Sequence, residues 1–67
     1  MDEKVILRLK KLTSIENLII AEDEMNEDIN GNEIKNSYLA YNKDDADNRM
    51  FGFILKNNKI YHFRKIM

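Results

Sequence analysis

The stretch Arg49-Met-Phe-Gly-Phe-Ile-Leu-Lys56, followed by Asn57-Asn58 and Lys59-Ile-Tyr-His-Phe-Arg-Lys-Ile66, decides the fold. Both halves are rich in aromatic and β-branched residues, which pack well on a pleated sheet. Asparagine tolerates the positive φ that a two-residue hairpin turn requires, so Asn57-Asn58 predicts a β-hairpin. That turn sets four predicted pairs: Leu55 with Ile60, Ile54 with Tyr61, Phe53 with His62, and Gly52 with Phe63.

Upstream of the hairpin, residues 36–42 carry Tyr38-Leu39-Ala40-Tyr41 and predict a further strand. The polar stretch 43–48 follows it, and we interpret its three aspartates as parts of a solvated turn. The second half of the chain, residues 36–66, therefore predicts a three-stranded antiparallel meander.

The first half predicts one strand and one helix. Apolar residues alternate with others over residues 4–11, which is typical of a strand with one buried face. Residues 14–29 have apolar residues at helical spacing and follow Thr13, which with Glu16 fits a capping box. Acidic residues crowd the end of this helix, where the dipole disfavours them, so a short buried strand at 17–21 stays an alternative.

Together these elements predict one α+β domain over residues 1–67, in the order β-α-β-β-β, with an acidic helix on one face of the sheet. An all-β five-stranded small barrel is the alternative. The two architectures differ over residues 14–30.

Composition excludes several classes of protein. The chain has no cysteine, so a disulfide scaffold and a thiolate zinc site are ruled out, and it has no apolar run long enough to cross a membrane. The first residues lack the pattern of a secretory signal, so we expect a cytoplasmic protein. A core this small gains stability from a partner, and a homo-oligomer is one way to supply it.

No constellation of residues points to catalysis, a cofactor or a metal. His62 is the only imidazole, and Gly31 and Gly52 are too far apart to form a phosphate-binding loop. Asp28, Asn30 and Asn32 have the spacing of the first calcium ligands of an EF-hand, but the later positions of that loop do not fit. We therefore expect a protein that is not an enzyme.

Charge is distributed unevenly, and this carries the first functional hypothesis. Residues 13–33 contain seven acidic side chains and no basic one. Such a surface attracts a protein with a basic surface, so we predict a small regulator or inhibitor that acts by protein–protein binding. The predicted contact residues are Glu16, Glu22, Asp23, Glu24, Glu27 and Asp28.

The second hypothesis is a nucleic-acid-binding domain. Residues 49–67 contain five basic side chains and no acidic one, interleaved with aromatic rings. Cations contact phosphates and rings stack on bases. The predicted contacts are Lys56, Lys59, Tyr61, Phe63, Arg64 and Lys65. A third hypothesis, a structural subunit of a larger assembly, predicts a stable homo-oligomer with neither ligand.

Two parts of the chain resemble Sm-like RNA-binding barrels. Residues 5–10, Thr13 and Asp23-Glu24-Met25-Asn26 are similar to the first motif of that family, and Phe51-Gly52 with Lys56-Asn57-Asn58 to the second. The resemblance implies a ring oligomer in which Asn26 and Lys56 contact RNA bases. The bending glycines of the first motif are replaced by Leu12 and Asn17, so we do not assign the chain to the family.

Overall fold

A computed structural model describes residues 1–23, 27–32, 34–44 and 49–66. Five elements follow one another along the chain: helix α1 (Glu3–Thr13) and strands β1 (Leu18–Glu22), β2 (Ser37–Asn42), β3 (Met50–Lys56) and β4 (Lys59–Lys65). The strands form one antiparallel sheet in the order β1-β2-β3-β4. The α+β class is confirmed. The sheet does not close, so the alternative architecture, a five-stranded barrel, is wrong.

The predicted strand over residues 4–11 is wrong, because this segment is α1. Asp2 caps the helix, its carboxylate accepting a hydrogen bond of 2.9 Å from the Lys4 amide. Val5 and Leu9 are buried at a spacing of four, whereas Leu7, which a strand would have buried with them, is 53% exposed. The same apolar residues fit both periods, and packing on the sheet decides for the helix.

The predicted helix over residues 14–29 is also wrong. Thr13 does not open a helix but ends α1: its hydroxyl donates to the Leu9 carbonyl oxygen at 2.7 Å and accepts from the Ile15 amide at 3.2 Å. Ser14 has a left-handed φ of 58°, which turns the chain toward β1. The strand alternative for 17–21 is close to the observed β1, whose apolar residues pair with β2.

The predicted meander is present, with β2, β3 and β4 in consecutive hairpins. Asn57 and Asn58 have φ values of 51° and 60°, as the predicted turn requires. The pairs Leu55–Ile60 and Ile54–Tyr61 are confirmed. The predicted pair Gly52–Phe63 is wrong, because a β-bulge places both His62 and Phe63 opposite Phe53 and brings Gly52 opposite Arg64.

The bulge is formed by His62 and Phe63. His62 has a φ of 53°, a left-handed conformation that adds an extra residue to β4. Beyond it, the side chains of β4 change faces relative to the predicted register. Phe63 consequently lies with Phe51, their ring centroids 5.3 Å apart in a stacked arrangement.

The core lies between α1 and one face of the sheet. Val5 and Leu9 of α1 pack with Ala40 and Phe53, all of them at most 3% exposed. Tyr38 stacks on Phe53 with a centroid distance of 5.6 Å. The surrounding half-buried side chains are Leu18, Ile20, Tyr38, Phe51, Leu55, Ile60 and Phe63.

The opposite face of the sheet, which we call the open face, is also apolar. Side chains alternate between faces along each strand, so the neighbours of the core residues point away from α1. The register places on this face the apolar residues Ile19, Ala21, Leu39, Tyr41, Met50, Ile54 and Tyr61, and beside them Ser37, Lys56, Lys59 and Arg64. Within the described ranges α1 is the only helix, and it covers the other face.

Candidate functional site

A groove lies between α1 and the end of the β3–β4 hairpin. Its open volume is about 780 Å³. We call it the basic groove. The lining residues are Asp2, Lys4, Val5, Leu7, Arg8, Lys11, Asn58, Lys59, Ile60 and Tyr61.

The residues that line the basic groove include four basic residues and one acidic residue. Lys4, Arg8 and Lys11 are spaced by four and three along α1, so they share one side of the helix. Lys59 joins them from the start of β4. The single carboxylate, that of Asp2, already accepts a hydrogen bond from the main chain of α1. The groove therefore has an excess of positive charge, which attracts anionic groups.

One wall of the basic groove is the edge of the sheet. β4 is the last strand in the sheet order, so among the described elements it has a paired neighbour only in β3. The other edge of β4 presents main-chain N–H and C=O groups in the direction of an added strand. Apolar side chains border this edge, including Leu7 at 53% and Tyr61 at 45% exposed. The groove thus combines cations, an apolar border and main-chain hydrogen-bonding groups.

Register divides the six residues predicted to contact nucleic acid between the two faces of the β3–β4 hairpin, with Lys56, Lys59, Tyr61 and Arg64 on the open face and Phe63 and Lys65 on the side of α1. Lys59 and Tyr61 line the basic groove, and Lys56 is the register partner of Lys59 beside the turn. Phe63 is half-buried against Phe51 on the side of α1. Register places Lys65 opposite Phe51, on the side of α1. It places Arg64 opposite Gly52, on the open face. The bulge at His62 and Phe63 is what separates them.

Arg64 lies directly over the main chain of Gly52. A Cβ atom at Gly52 would stand 3.0 Å from both Cζ of Arg64 and Cδ1 of Ile66. The absence of a side chain at Gly52 therefore leaves the space that Arg64 and Ile66 occupy. Nη1 of Arg64 also donates a hydrogen bond of 3.3 Å to the main-chain oxygen of His62. These contacts place the guanidinium on the open face.

The acidic residues do not form the helical face that we predicted. Glu16 is exposed in the turn before β1, whereas Glu22 and Asp23 lie at the far end of that strand. Glu27 is exposed beyond it, and Glu24 lies outside the described residues. β1 separates Glu16 from the others by about 13 Å at roughly 3.3 Å per residue. Binding of a basic protein through these residues stays a prediction.

Asp28 has a structural role in its turn. Its Oδ1 accepts hydrogen bonds from the amides of Asn30 at 2.9 Å and Asn32 at 3.0 Å. The Asp28 amide in turn donates to the Asn32 carbonyl oxygen at 2.8 Å. The alternation of Asp and Asn that resembles the start of an EF-hand is thus used to close a turn.

No group of three or more His, Asp or Glu side chains in the described ranges is arranged to hold a metal ion. No helix in the described part of the chain combines the length and the apolar character that a membrane crossing needs.

Sequence analysis missed the cations of α1. In the predicted strand over residues 4–11, Lys4 and Arg8 share one face and Lys11 lies on the other. Their spacing of four and three was the available signal, together with Asp2 as a possible N-cap. Their position beside Lys59 follows only from the packing of α1 on the sheet.

The segment that carries the resemblance to the first Sm-like motif, residues 5–10, lies in α1, and the sheet is open. Asn26, which the resemblance implies as an RNA contact, lies outside the described residues. Comparison with known proteins finds no matching family model, no similar curated protein and no similar solved structure. The geometry of this chain therefore carries the functional argument alone.

Proposed function

We propose that this chain is a non-catalytic protein-binding regulator that holds an acidic, extended segment of a partner protein in the basic groove. The observation that carries the proposal is the position of four basic residues beside the edge of β4 to which none of the described strands pairs. By occupying such a segment, the chain keeps it from other partners, which is how a small binding protein inhibits.

The main chain of β4 supports an extended ligand. A peptide that adds to the edge of a sheet gains a ladder of main-chain hydrogen bonds, and alternate side chains reach pockets on each side. Here the added strand would run between β4 and the exposed side of α1. Leu7 and Ile60 offer apolar contact along that path.

The charges of the groove select an acidic ligand. Lys4, Arg8 and Lys11 project along a length of helix that spans two turns, so successive acidic side chains of an extended peptide meet successive cations. Complementary charge raises the rate of association and disfavours basic sequences. We therefore expect binding to weaken as salt concentration rises.

The aromatic residues favour a peptide over a single-stranded nucleic acid. Sequence-independent binding of single strands uses rings on which successive bases stack. Phe63 is already stacked on Phe51, and Tyr61 is the ring that lines the groove. One ring does not make a platform for successive bases.

The test is fluorescence anisotropy with two probes: a short labelled peptide of alternating Glu and Val, and labelled oligo-dT of similar length. The site variant is Lys4→Gln/Arg8→Gln/Lys11→Gln. Its matched control, Lys10→Gln/Lys35→Gln/Lys43→Gln, removes the same charge from exposed positions that do not line the groove.

We expect the peptide to bind the wild type and the control alike, and to bind the site variant about tenfold more weakly or worse, which corresponds to about 1.4 kcal/mol. Equal loss in both variants would mean that net charge, not the groove, attracts the peptide. Binding of oligo-dT without the peptide would replace the proposal by the nucleic-acid alternative. Binding of neither probe would refute the groove as a site for acidic polymers.

A further inference from the structure

The two outermost strands of the described sheet, β1 and β4, carry opposite charges. β4 contains Lys59, Arg64 and Lys65 and no acidic residue. β1 ends at Glu22, Asp23 follows directly, and β1 contains no basic residue. Two copies that met through two β4 edges or two β1 edges would bring like charges together, whereas a β1 edge beside a β4 edge brings opposite charges together.

At the β4 edge, Ile60 directs its main-chain hydrogen-bonding groups outward. The Leu55 amide donates a hydrogen bond of 2.9 Å to the Asn36 carbonyl oxygen, on the side of β2 and away from β4. Leu55 and Ile60 are register partners, and in an antiparallel ladder the two members of such a pair turn their N–H and C=O groups away from each other. The N–H and C=O of Ile60 therefore point into the basic groove, which Ile60 lines.

Glu22 is the corresponding residue at the β1 edge. The Asp23 amide donates a hydrogen bond of 2.9 Å to the Ser37 carbonyl oxygen, toward β2. Main-chain groups alternate in direction along a strand, so Glu22 directs its N–H and C=O away from β2. Its side chain is exposed and lies on the side of the sheet that α1 covers, because its register partner is Tyr38.

Glu22 of one copy and Ile60 of another fit each other. When β1 of one copy lies antiparallel beside β4 of the other, these two residues exchange a pair of main-chain hydrogen bonds. The same register places Asp23 opposite Lys59 on the open face, where the opposite charges attract. The Glu22 side chain then lies on the side of α1, where the cations of the helix line the basic groove.

The spacing of the elements leaves room for this arrangement. Strands lie about 4.8 Å apart, so copies that continue one four-stranded sheet repeat at about 19 Å. A helix with its side chains is about 10–12 Å across, so neighbouring α1 helices leave a gap of about 7–9 Å above the joined edges. The bulge at His62 and Phe63 interrupts the β4 ladder, which confines regular pairing to the part of β4 that lines the groove.

We propose that the basic groove also takes the acidic β1 edge of a second copy of this chain, with Glu22 of that copy beside Ile60 and Asp23 of that copy beside Lys59. The inference rests on the proposed function, since it uses the same groove and the same class of ligand. It adds a regulation: an occupied groove is closed to the partner, so self-association and partner binding compete. The contact is head-to-tail, and each copy uses two different surfaces.

The test is sedimentation of the wild type and three variants from about 1 to 100 μM, with folding checked by circular dichroism. Glu22→Lys alters the acidic edge and keeps the groove, whereas Lys4→Gln/Arg8→Gln/Lys11→Gln alters the groove and keeps the edge. Glu16→Lys is the matched control, an equal change at an exposed site before β1. We expect the wild type and the control to associate, and the other two to associate about tenfold more weakly or worse.

An equimolar mixture of the edge variant and the groove variant should form a 1:1 complex, because one intact groove then meets one intact edge. A two-fold pairing of identical surfaces gives no such rescue. A wild-type chain that stays monomeric at about 100 μM, or a mixture that forms no complex, would overturn the proposal.

The acidic peptide of the anisotropy experiment separates failure of this inference from failure of the proposed function. Excess unlabelled peptide should lower the molar mass of the associated wild type, and Glu22→Lys should bind the peptide as well as the wild type does. Peptide binding with no self-association, or with an unchanged molar mass, would overturn the self-association through the groove alone. Absence of both peptide binding and association would overturn both proposals.

Discussion

Nη2 of Arg49 donates a hydrogen bond of 2.8 Å to the main-chain carbonyl oxygen of Thr13. Thr13 is the last residue of α1, so the guanidinium meets the end of the helix where carbonyl groups lack partners and the dipole is negative. Arg49 immediately precedes β3. This one contact ties the end of the helix to the entry of a central strand.

We expect Arg49→Gln to lower the free energy of unfolding by about 1–2 kcal/mol, because a hydrogen bond to a charged group is lost at a partly buried site. Urea denaturation measures the change. The control Lys43→Gln removes the same charge from an exposed position and should change stability by less than about 0.5 kcal/mol. Equal effects of the two substitutions would show that Arg49 acts only through net charge.

The hydroxyl of Thr13 also stabilises the C-terminal end of α1, and substitutions of Thr13 test its contribution. Thr13→Val removes a buried hydroxyl that both donates to Leu9 and accepts from the Ile15 amide, leaving that amide without its partner. We expect a loss of about 1–3 kcal/mol. Thr13→Ser keeps the hydroxyl and should recover much of the loss in thermal unfolding. A serine variant as unstable as the valine variant would assign the effect to the methyl group.

The helix provides a matched pair of core substitutions. Leu9→Ala empties a fully buried position, and we expect a cost of about 2–5 kcal/mol, comparable with the whole stability of a domain this small. Leu12→Ala removes the same atoms from a side chain that is 45% exposed. Its cost should be below about 1 kcal/mol. Circular dichroism should show Leu9→Ala largely unfolded and Leu12→Ala folded.

The hairpin turn can be improved. Both Asn57 and Asn58 have positive φ, and Asn-Gly is the favoured pair for such a turn. Asn58→Gly should therefore raise the melting temperature, with a gain of about 0.5–1 kcal/mol, whereas Asn58→Val should lower it. A glycine variant less stable than the wild type would mean that the Asn58 side chain contributes more than its conformation costs.

The hairpin was predictable because residues next to one another in the sequence determine it. Two asparagines fix the turn, and the turn fixes Leu55 opposite Ile60. The bulge was not predictable, since a positive φ such as that of His62 is uncommon for every residue other than glycine, and nothing in the sequence indicates it at this position. One residue of slip beyond the bulge was enough to send Phe63 and Arg64 to faces other than those predicted.

The structure of the first half of the chain depends on contacts with residues that are far away in the sequence. Val5 and Leu9 satisfy both a strand period and a helix period, and contact with Phe53 selects the helix. Leu18–Glu22 becomes a strand because β2 pairs with it. The candidate site could not be predicted from the sequence for the same reason, because Lys4 and Lys59 become neighbours only when α1 packs on the sheet.

The packing of Leu9 on Phe53 also has a consequence for the order of events during synthesis. Helix α1 emerges from the ribosome before the strand that covers its apolar side, and a single short helix is marginal in water. Val5 and Leu9 therefore stay exposed until β3 has been made. Exposed apolar side chains on a nascent chain are potential chaperone contacts, and the synthesis of the β3–β4 hairpin ends the exposure of Val5 and Leu9.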